Sequence, residues 1–183
     1  MTLILERCNE WNTDIWMCLV DFEEAFGTVE HETLCMVLEE QGVHRAYIDL
    51  IKALYKDQTA TVTAGCQSRT FALQRRVKQG DPISALLFIA AMEAVFGRLK
   101  QRWHRRNTER RTEQYYGIVV DNPSDPLTNL RCADDVILFG TSKGDIGKMI
   151  TELSQEAKKY GLKLLNHAEM QRVADRGAAS ESP

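Results

Sequence analysis

The stretch "DPISALLFIAAMEAVFGRLKQRW", from Asp81 to Trp103, constrains the fold more than any other part of the chain. Asp81 is placed as an N-cap, and Pro82 takes the first helical position, where its missing N–H costs nothing. Beyond them the segment is apolar on most sides. A helix of that kind has no face it can show to water, so it must run through the core. The chain has 183 residues, 44% of them hydrophobic, which is enough to close one compact core around such a helix.

The flanking segments predict a sheet and further helices. "DIWMCLVDF" (Asp14 to Phe22) is a short apolar run bounded by polar residues and reads as a buried strand. Leu34, Val37 and Leu38 mark one face of a helix from Glu30 that Gly42 is placed to end, and Tyr47, Leu50, Ile51, Leu54 and Tyr55 repeat the helical spacing. "TATVTAG" and "RTFALQR" predict a hairpin turning at "CQS". After the long helix come "YYGIVVD", a predicted strand, "NPSDP", turn chemistry, and "RCADDVILFG", a second hairpin. A last helix from about Lys143 carries Ile146, Met149, Ile150, Leu153, Ala157 and Tyr160 on one face, with Gly161 beyond its end. The order predicts an α+β fold with a mostly antiparallel sheet and helices on one face. One domain is expected over residues 1–168, and residues 169–183 have no periodicity and read as a disordered tail.

Net charge is −3, so no global electrostatic argument favours nucleic acid or membrane. The basic residues are concentrated locally: seven Lys or Arg fall between Arg98 and Arg111, with Trp103 and His104 among them. The five cysteines stand singly, which indicates neither a zinc site nor a disulfide framework. No apolar run approaches membrane-spanning length and the N-terminus is charged too early for a secretory signal. These features predict an intracellular protein, nuclear or cytoplasmic, without a membrane partner.

Asp134 and Asp135 lie between two apolar runs, so a hairpin turn there projects two like charges side by side. A divalent cation is the usual compensation for such a pair. Taken alone, the pair reads rather as the turn of an ordinary surface hairpin. Asp21, at the end of another predicted strand, would complete a set of hard oxygen ligands of the kind Mg²⁺ takes together with substrate phosphates.

"LVDFEEAFGTVEHETL", "RRVKQGDPISALLF" and "RCADDVILFG", in this order and separation, resemble motifs A, B and C of reverse transcriptases, closest to those of non-LTR (LINE-type) retrotransposons. "YGLKLLN" is similar to the start of motif D, and the resemblance covers roughly Thr2 to Asn166. It implies a polymerase palm, a ferredoxin-like antiparallel sheet with helices on one face, plus part of the fingers. The implied activity is RNA-directed DNA polymerisation, transfer of a deoxynucleotide from its triphosphate to a DNA primer 3′-OH on an RNA template. The implied cofactor is Mg²⁺, with Mn²⁺ as an alternative.

The resemblance also implies roles for particular residues. Asp21, Asp134 and Asp135 are the catalytic carboxylates and metal ligands. Phe26 packs under the incoming sugar; Gln79, Gly80 and Ser84 border the nascent base pair. Arg76 and Lys78, beside Gln79, and Arg102 and Arg105 in the basic segment are expected to contact nucleic acid. Core packing for Phe26, a turn for Gln79–Gly80 and a solvated helix end for the arginines are the plain structural alternatives.

The chain departs from the family pattern at several places. Cys132 stands where an aromatic is usual, Gly27 where Asp is common, Ala85 in place of Pro, and a Lys past Asn166 is missing, with His167 nearby. The motifs also imply a piece of a longer polyprotein carrying further fingers, a thumb and an endonuclease. Two readings stay open: a partly degenerate reverse transcriptase palm, or a non-catalytic palm-like domain that binds nucleic acid or Mg²⁺ weakly.

Overall fold

The computed structural model describes residues 6, 15–23, 31–56, 59–64, 67–72, 82–109, 116–120, 122, 124–165 and 169–173. The expected N-cap Asp81 lies outside them. In chain order the elements are β1 (Ile15–Val20), β2 (Phe22–Glu23), α1 (His31–Glu40), α2 (Arg45–Tyr55), β3 (Thr59–Ala64), β4 (Gln67–Ala72), α3 (Pro82–Glu109), β5 (Asn129–Cys132), β6 (Asp135–Gly140), α4 (Lys143–Lys158), β7 (Lys163–Leu164) and β8 (Glu169–Val173). The chain groups into two compact units, one of Met1–Phe22, Gly97–Gln155 and Leu164–Pro183, the other of Glu23–Phe96 and Glu156–Lys163.

The first unit holds a four-stranded sheet in the order β5-β6-β1-β8, antiparallel throughout. Strand alternation divides its two faces. Cys18, Val20, Val136 and Leu138 are buried on one, and on that face a Cβ added at Gly140 would come within 3.1 Å of the Ile146 side chain, so α4 covers it. On the other face Ile15 and Phe139 pack with Ile118, and Met17, Ile137, Val120 and Leu127 surround them. Trp103 of α3 and Met149 and Leu153 of α4 are also fully buried in this unit.

Among the described residues, the segment expected as the strand "YYGIVVD" makes isolated bridges only, Tyr116 to Gly140 and Ile118 to Leu127. Gly117 accounts for the break. Its φ of +100° leaves the extended region, and an added Cβ would stand 2.8 Å from the Leu127 carbonyl oxygen. Gly117→Ala is therefore expected to cost roughly 1–3 kcal/mol, read as a fall in Tm of several degrees.

The tail expectation is corrected for residues 169–173. β8 pairs antiparallel with β1, from Leu19↔Glu169 to Ile15↔Val173. "EMQRV" has no apolar alternation, so nothing local marks it as a strand; backbone pairing with the open edge of β1 holds it there. Residues 174–183 lie outside the described residues.

In the second unit α1 ends at Gly42 as expected: φ is +80°, and Gly42 N and Val43 N donate to Glu39 O and Leu38 O at 3.0 Å each. Leu34, Val37 and Leu38 are buried as the spacing predicts. α2 differs from expectation, since Ile48 and Tyr55 are buried while Tyr47 is 66% and Leu50 58% exposed. The apolar stripe is wider than the core it meets. In the β3–β4 hairpin Ala64 pairs with Gln67, so Gln67 and Ser68, read as turn residues, belong to the strand. α4 closes at Gly161 (φ +77°), where Leu162 N donates to Ala157 O at 3.0 Å.

Candidate active site

Asp21, Asp134 and Asp135 lie toward one end of the sheet in the first unit. β1 and β6 pair from Trp16↔Gly140 to Val20↔Val136, and continuing this register by one residue sets Asp21 opposite Asp135. Directly opposite residues share a face, so both project from the side away from α4. Asp134 sits in the turn one residue earlier. Like charges opposite one another on a sheet are destabilising, and among the described residues no ion pair or hydrogen bond engages the carboxylate of Asp134 or Asp135. Asp21 has one local contact, its Oδ1 accepting from Phe22 N at 2.8 Å.

The turn carrying Asp134 is strained. β5 and β6 pair to the very end, Cys132 with Asp135, leaving a loop of Ala133 and Asp134. Ala133 has φ +55°, the sole positive φ among the described non-glycine residues. A two-residue loop with positive φ at its first position normally has Gly there. An alanine in that conformation costs about 1 kcal/mol, and such strain clusters at sites where geometry matters. Ala133→Gly is thus expected to raise stability by roughly 0.5–1 kcal/mol, measurable by denaturant titration.

Other elements hold Asp21 in place. Its carbonyl accepts from Leu165 N at 2.9 Å, which ties β1 to the segment just after β7. Lys163 of β7 makes an ion pair with Glu23 of β2. Beside the carboxylates, on the same face, Leu19 is 50% and Leu130 37% exposed and Cys132 is exposed as a free thiol. An open apolar strip therefore runs up to the acidic pair. Cys18, by contrast, is buried, and burial pushes its thiol pKa up.

Among the described residues no group of three or more His, Cys, Asp or Glu is placed so that it could hold a metal ion. Mg²⁺ does not need one, because it is commonly held by one or two carboxylates and completes its shell with water and substrate phosphates. Asp21, Asp134 and Asp135 are the carboxylates that would be available for such a shell.

The remaining expected residues are distributed differently. Ser84, in the first turn of α3 in the second unit, is buried and its hydroxyl has no hydrogen-bond partner. Phe26, Gly27, Arg76, Lys78, Gln79, Gly80 and His167 lie outside the described residues. Arg102 is half-buried, and Arg105 is exposed with an ion pair to Glu109 at 3.9 Å, a separation worth little at the surface.

The basic segment is partly structural. Trp103 is fully buried and its Nε1 donates to Glu152 Oε2 at 3.0 Å. Arg106 pairs with Glu152 and donates to the Tyr116 hydroxyl at 3.3 Å, while Asn107 bonds both backbone groups of Tyr116, at 2.9 and 2.8 Å. The Tyr116 hydrogen bond raises the Arg106 pKa, Glu152 adds to it, and partial desolvation opposes both. Glu152 is the residue that sequence reasoning missed. Its signal was its place among Met149, Leu153 and Glu156, buried positions of α4.

Comparison with known proteins identifies the family. Residues 2–167 match the family model for reverse transcriptase (RNA-dependent DNA polymerase), and the chain belongs to that family. Its relatives are retroelement proteins. It is 35% identical over 78 residues, 42% of this chain, to the retrovirus-related Pol polyprotein from type-1 retrotransposable element R2 of Popillia japonica, covering 11% of that protein. It is 24% identical over 164 residues, 88% of this chain, to the corresponding polyprotein from type-2 element R2DM of Drosophila melanogaster, covering 14% of it. Among solved structures, telomerase from Candida tropicalis in complex with a TWJ fragment of telomeric RNA aligns with a TM-score of 0.64 at 16% identity, over 98% of this chain and 29% of that one. The fold is thus that of a palm-containing polymerase. No described helix is long and apolar enough to cross a membrane.

Proposed function

We propose that this chain is the palm, with part of the fingers, of an RNA-directed DNA polymerase that acts inside the cell as one portion of a longer retroelement protein. The observation that carries the reading is the register that sets Asp21 opposite Asp135, beside Asp134 in a strained turn. Asp21 and Asp134 are the principal metal ligands and Asp135 the third carboxylate. These residues would hold Mg²⁺, or Mn²⁺ in its place, and the metal would supply activation of the primer 3′-OH and charge compensation for the leaving pyrophosphate.

The protein's own part is position. The hydrogen bond from Leu165 N fixes the backbone of Asp21, and the strained turn fixes that of Asp134. The open strip of Leu19, Leu130 and Cys132 receives the primer end. Phe26 packs beneath the deoxyribose, Gln79, Gly80 and Ser84 border the nascent base pair, and Arg76, Lys78, Arg102 and Arg105 neutralise phosphates. Substrates are an RNA template, a DNA primer and deoxynucleoside triphosphates.

One feature favours the second reading, a palm-like domain that binds nucleic acid or Mg²⁺ without catalysis. The exposed Cys132 thiol offers far less surface to a primer than an aromatic ring does. The test is template dependence: with an RNA template presenting one unpaired base, only the complementary deoxynucleotide is added to the primer. Addition that ignores the templating base, or that proceeds without template, would overturn the polymerase reading.

A further inference from the structure

In the second unit α1 and α2 enclose a groove of about 600 Å³. The two helices run antiparallel: the turn at Gly42 joins them, and at their far ends the rings of His31 and Tyr55 stand 4.7 Å apart. Leu34, Cys35, Ile51 and Tyr55 give the groove an apolar lining, and Met36, which also lines it, is 61% exposed. The charges along it are sorted by helix. Glu32 and Glu39 stand on α1, Lys52 and Lys56 at the end of α2. Glu39 is paired with Arg45 at 3.7 Å. Among the described residues no ion pair engages Glu32, Lys52 or Lys56, and all three are exposed.

We propose that this groove is one half of a twofold interface whose occupant is a second copy of the chain. Charge complementarity carries the choice. His31 and Tyr55 are level across the groove, so at about 1.5 Å per residue Glu32 is level with Leu54. Lys52 then lies about 3 Å along the axis on one side of that level and Lys56 about 3 Å on the other. A half-turn about an axis parallel to the helices lays α1 of one copy on α2 of the other without changing any residue's height. Glu32 of each copy falls between Lys52 and Lys56 of the second copy, and the match occurs twice. Met36, one turn on from Glu32, comes against the second copy's α2, where a flexible thioether fills gaps well. A phosphate chain fits this groove less well, because Glu32 repels it. Helices of 10 and 11 residues make a contact smaller than the roughly 800 Å² per partner of a standard complex. The dissociation constant is therefore expected on the order of tens of micromolar.

Sedimentation equilibrium of the full 183-residue chain tests this without any turnover, so its outcome is separate from that of the polymerase reading. Between about 1 and 200 µM the parent is expected to pass from monomer towards dimer, and added salt should move the balance back. Glu32→Lys leaves only cations unpaired along the groove, and Lys52→Glu/Lys56→Glu leaves only acids. Each variant alone is expected to associate about tenfold or more weakly than the parent. An equal mixture of the two variants restores every opposite-charge match in the mixed dimer, so it should associate as the parent does. Glu32→Gln, which removes the charge without reversing it, is expected to weaken the dimer severalfold. All the substituted positions are exposed, so the fold is retained. A parent that stays monomeric to about 200 µM would overturn the proposal. So would a dimer that survives both charge reversals, since the contact would then lie on another face, such as Tyr47 and Leu50 of α2. A mixture no more associated than its two components would also overturn it.

Discussion

Asp134→Asn is expected to abolish template-directed nucleotide transfer while leaving the fold in place. The substitution keeps shape and removes one charge from a half-buried turn position, a change that ordinarily alters stability by no more than about 0.5 kcal/mol. The catalytic cost is far larger. A bound metal contributes several kcal/mol of transition-state stabilisation, so weakening its hold lowers the rate on the order of a thousandfold. A second readout is independent of turnover. Mg²⁺ relieves repulsion among three carboxylates that have no cationic partner among the described residues, so the parent's Tm should rise as Mg²⁺ is added. The variant's Tm should rise much less. Equal Mg²⁺ stabilisation in both would mean that Asp134 is not a ligand.

Trp103→Ala carries the largest expected effect on stability. The indole is fully buried and donates to Glu152 Oε2, so truncation opens a cavity and strips a carboxylate of one of its donors. Truncating a buried Trp costs about 3–5 kcal/mol, which for a chain of this size lowers Tm by roughly 10 °C. Trp103→Phe keeps most of the volume and loses mainly the hydrogen bond, about 1.5–3 kcal/mol for one made to a charged group. A Trp103→Ala protein that melted with the parent would show that α3 and α4 are not joined through this contact.

These two effects differ in how visible they were beforehand. The carboxylates could be named from sequence because apolar runs flank Asp134 and Asp135 and because Asp21 ends a buried strand. That Asp21 lies opposite Asp135 could not, since it depends on pairing between β1 and β6, elements far apart in the chain. The strain at Ala133 was hidden as well, because alanine in a two-residue turn gives no compositional signal. Helix ends at Gly42 and Gly161 were legible, each being a glycine just past the last apolar position.

Other features were obscured by charge or by weak local preference. Trp103 and Asn107 continue the buried spacing of Leu99, but the surrounding arginines made this part of α3 look like a solvated end. On α2 the reverse holds: Tyr47, Leu50 and Leu54 have helical apolar spacing and remain exposed. Periodicity reports which residues could share a core, and the neighbours decide which do. β8 shows the same limit, as its pairing is set by the free edge of β1 rather than by "EMQRV" itself.

The most direct test of the account is single-nucleotide incorporation on an RNA template with a DNA primer and Mg²⁺ or Mn²⁺, comparing the parent chain with Asp21→Ala. The account predicts addition of the templated nucleotide by the parent and none by the variant. Incorporation that survives Asp21→Ala undiminished would contradict it, because the carboxylate facing Asp135 would then have no part in the chemistry.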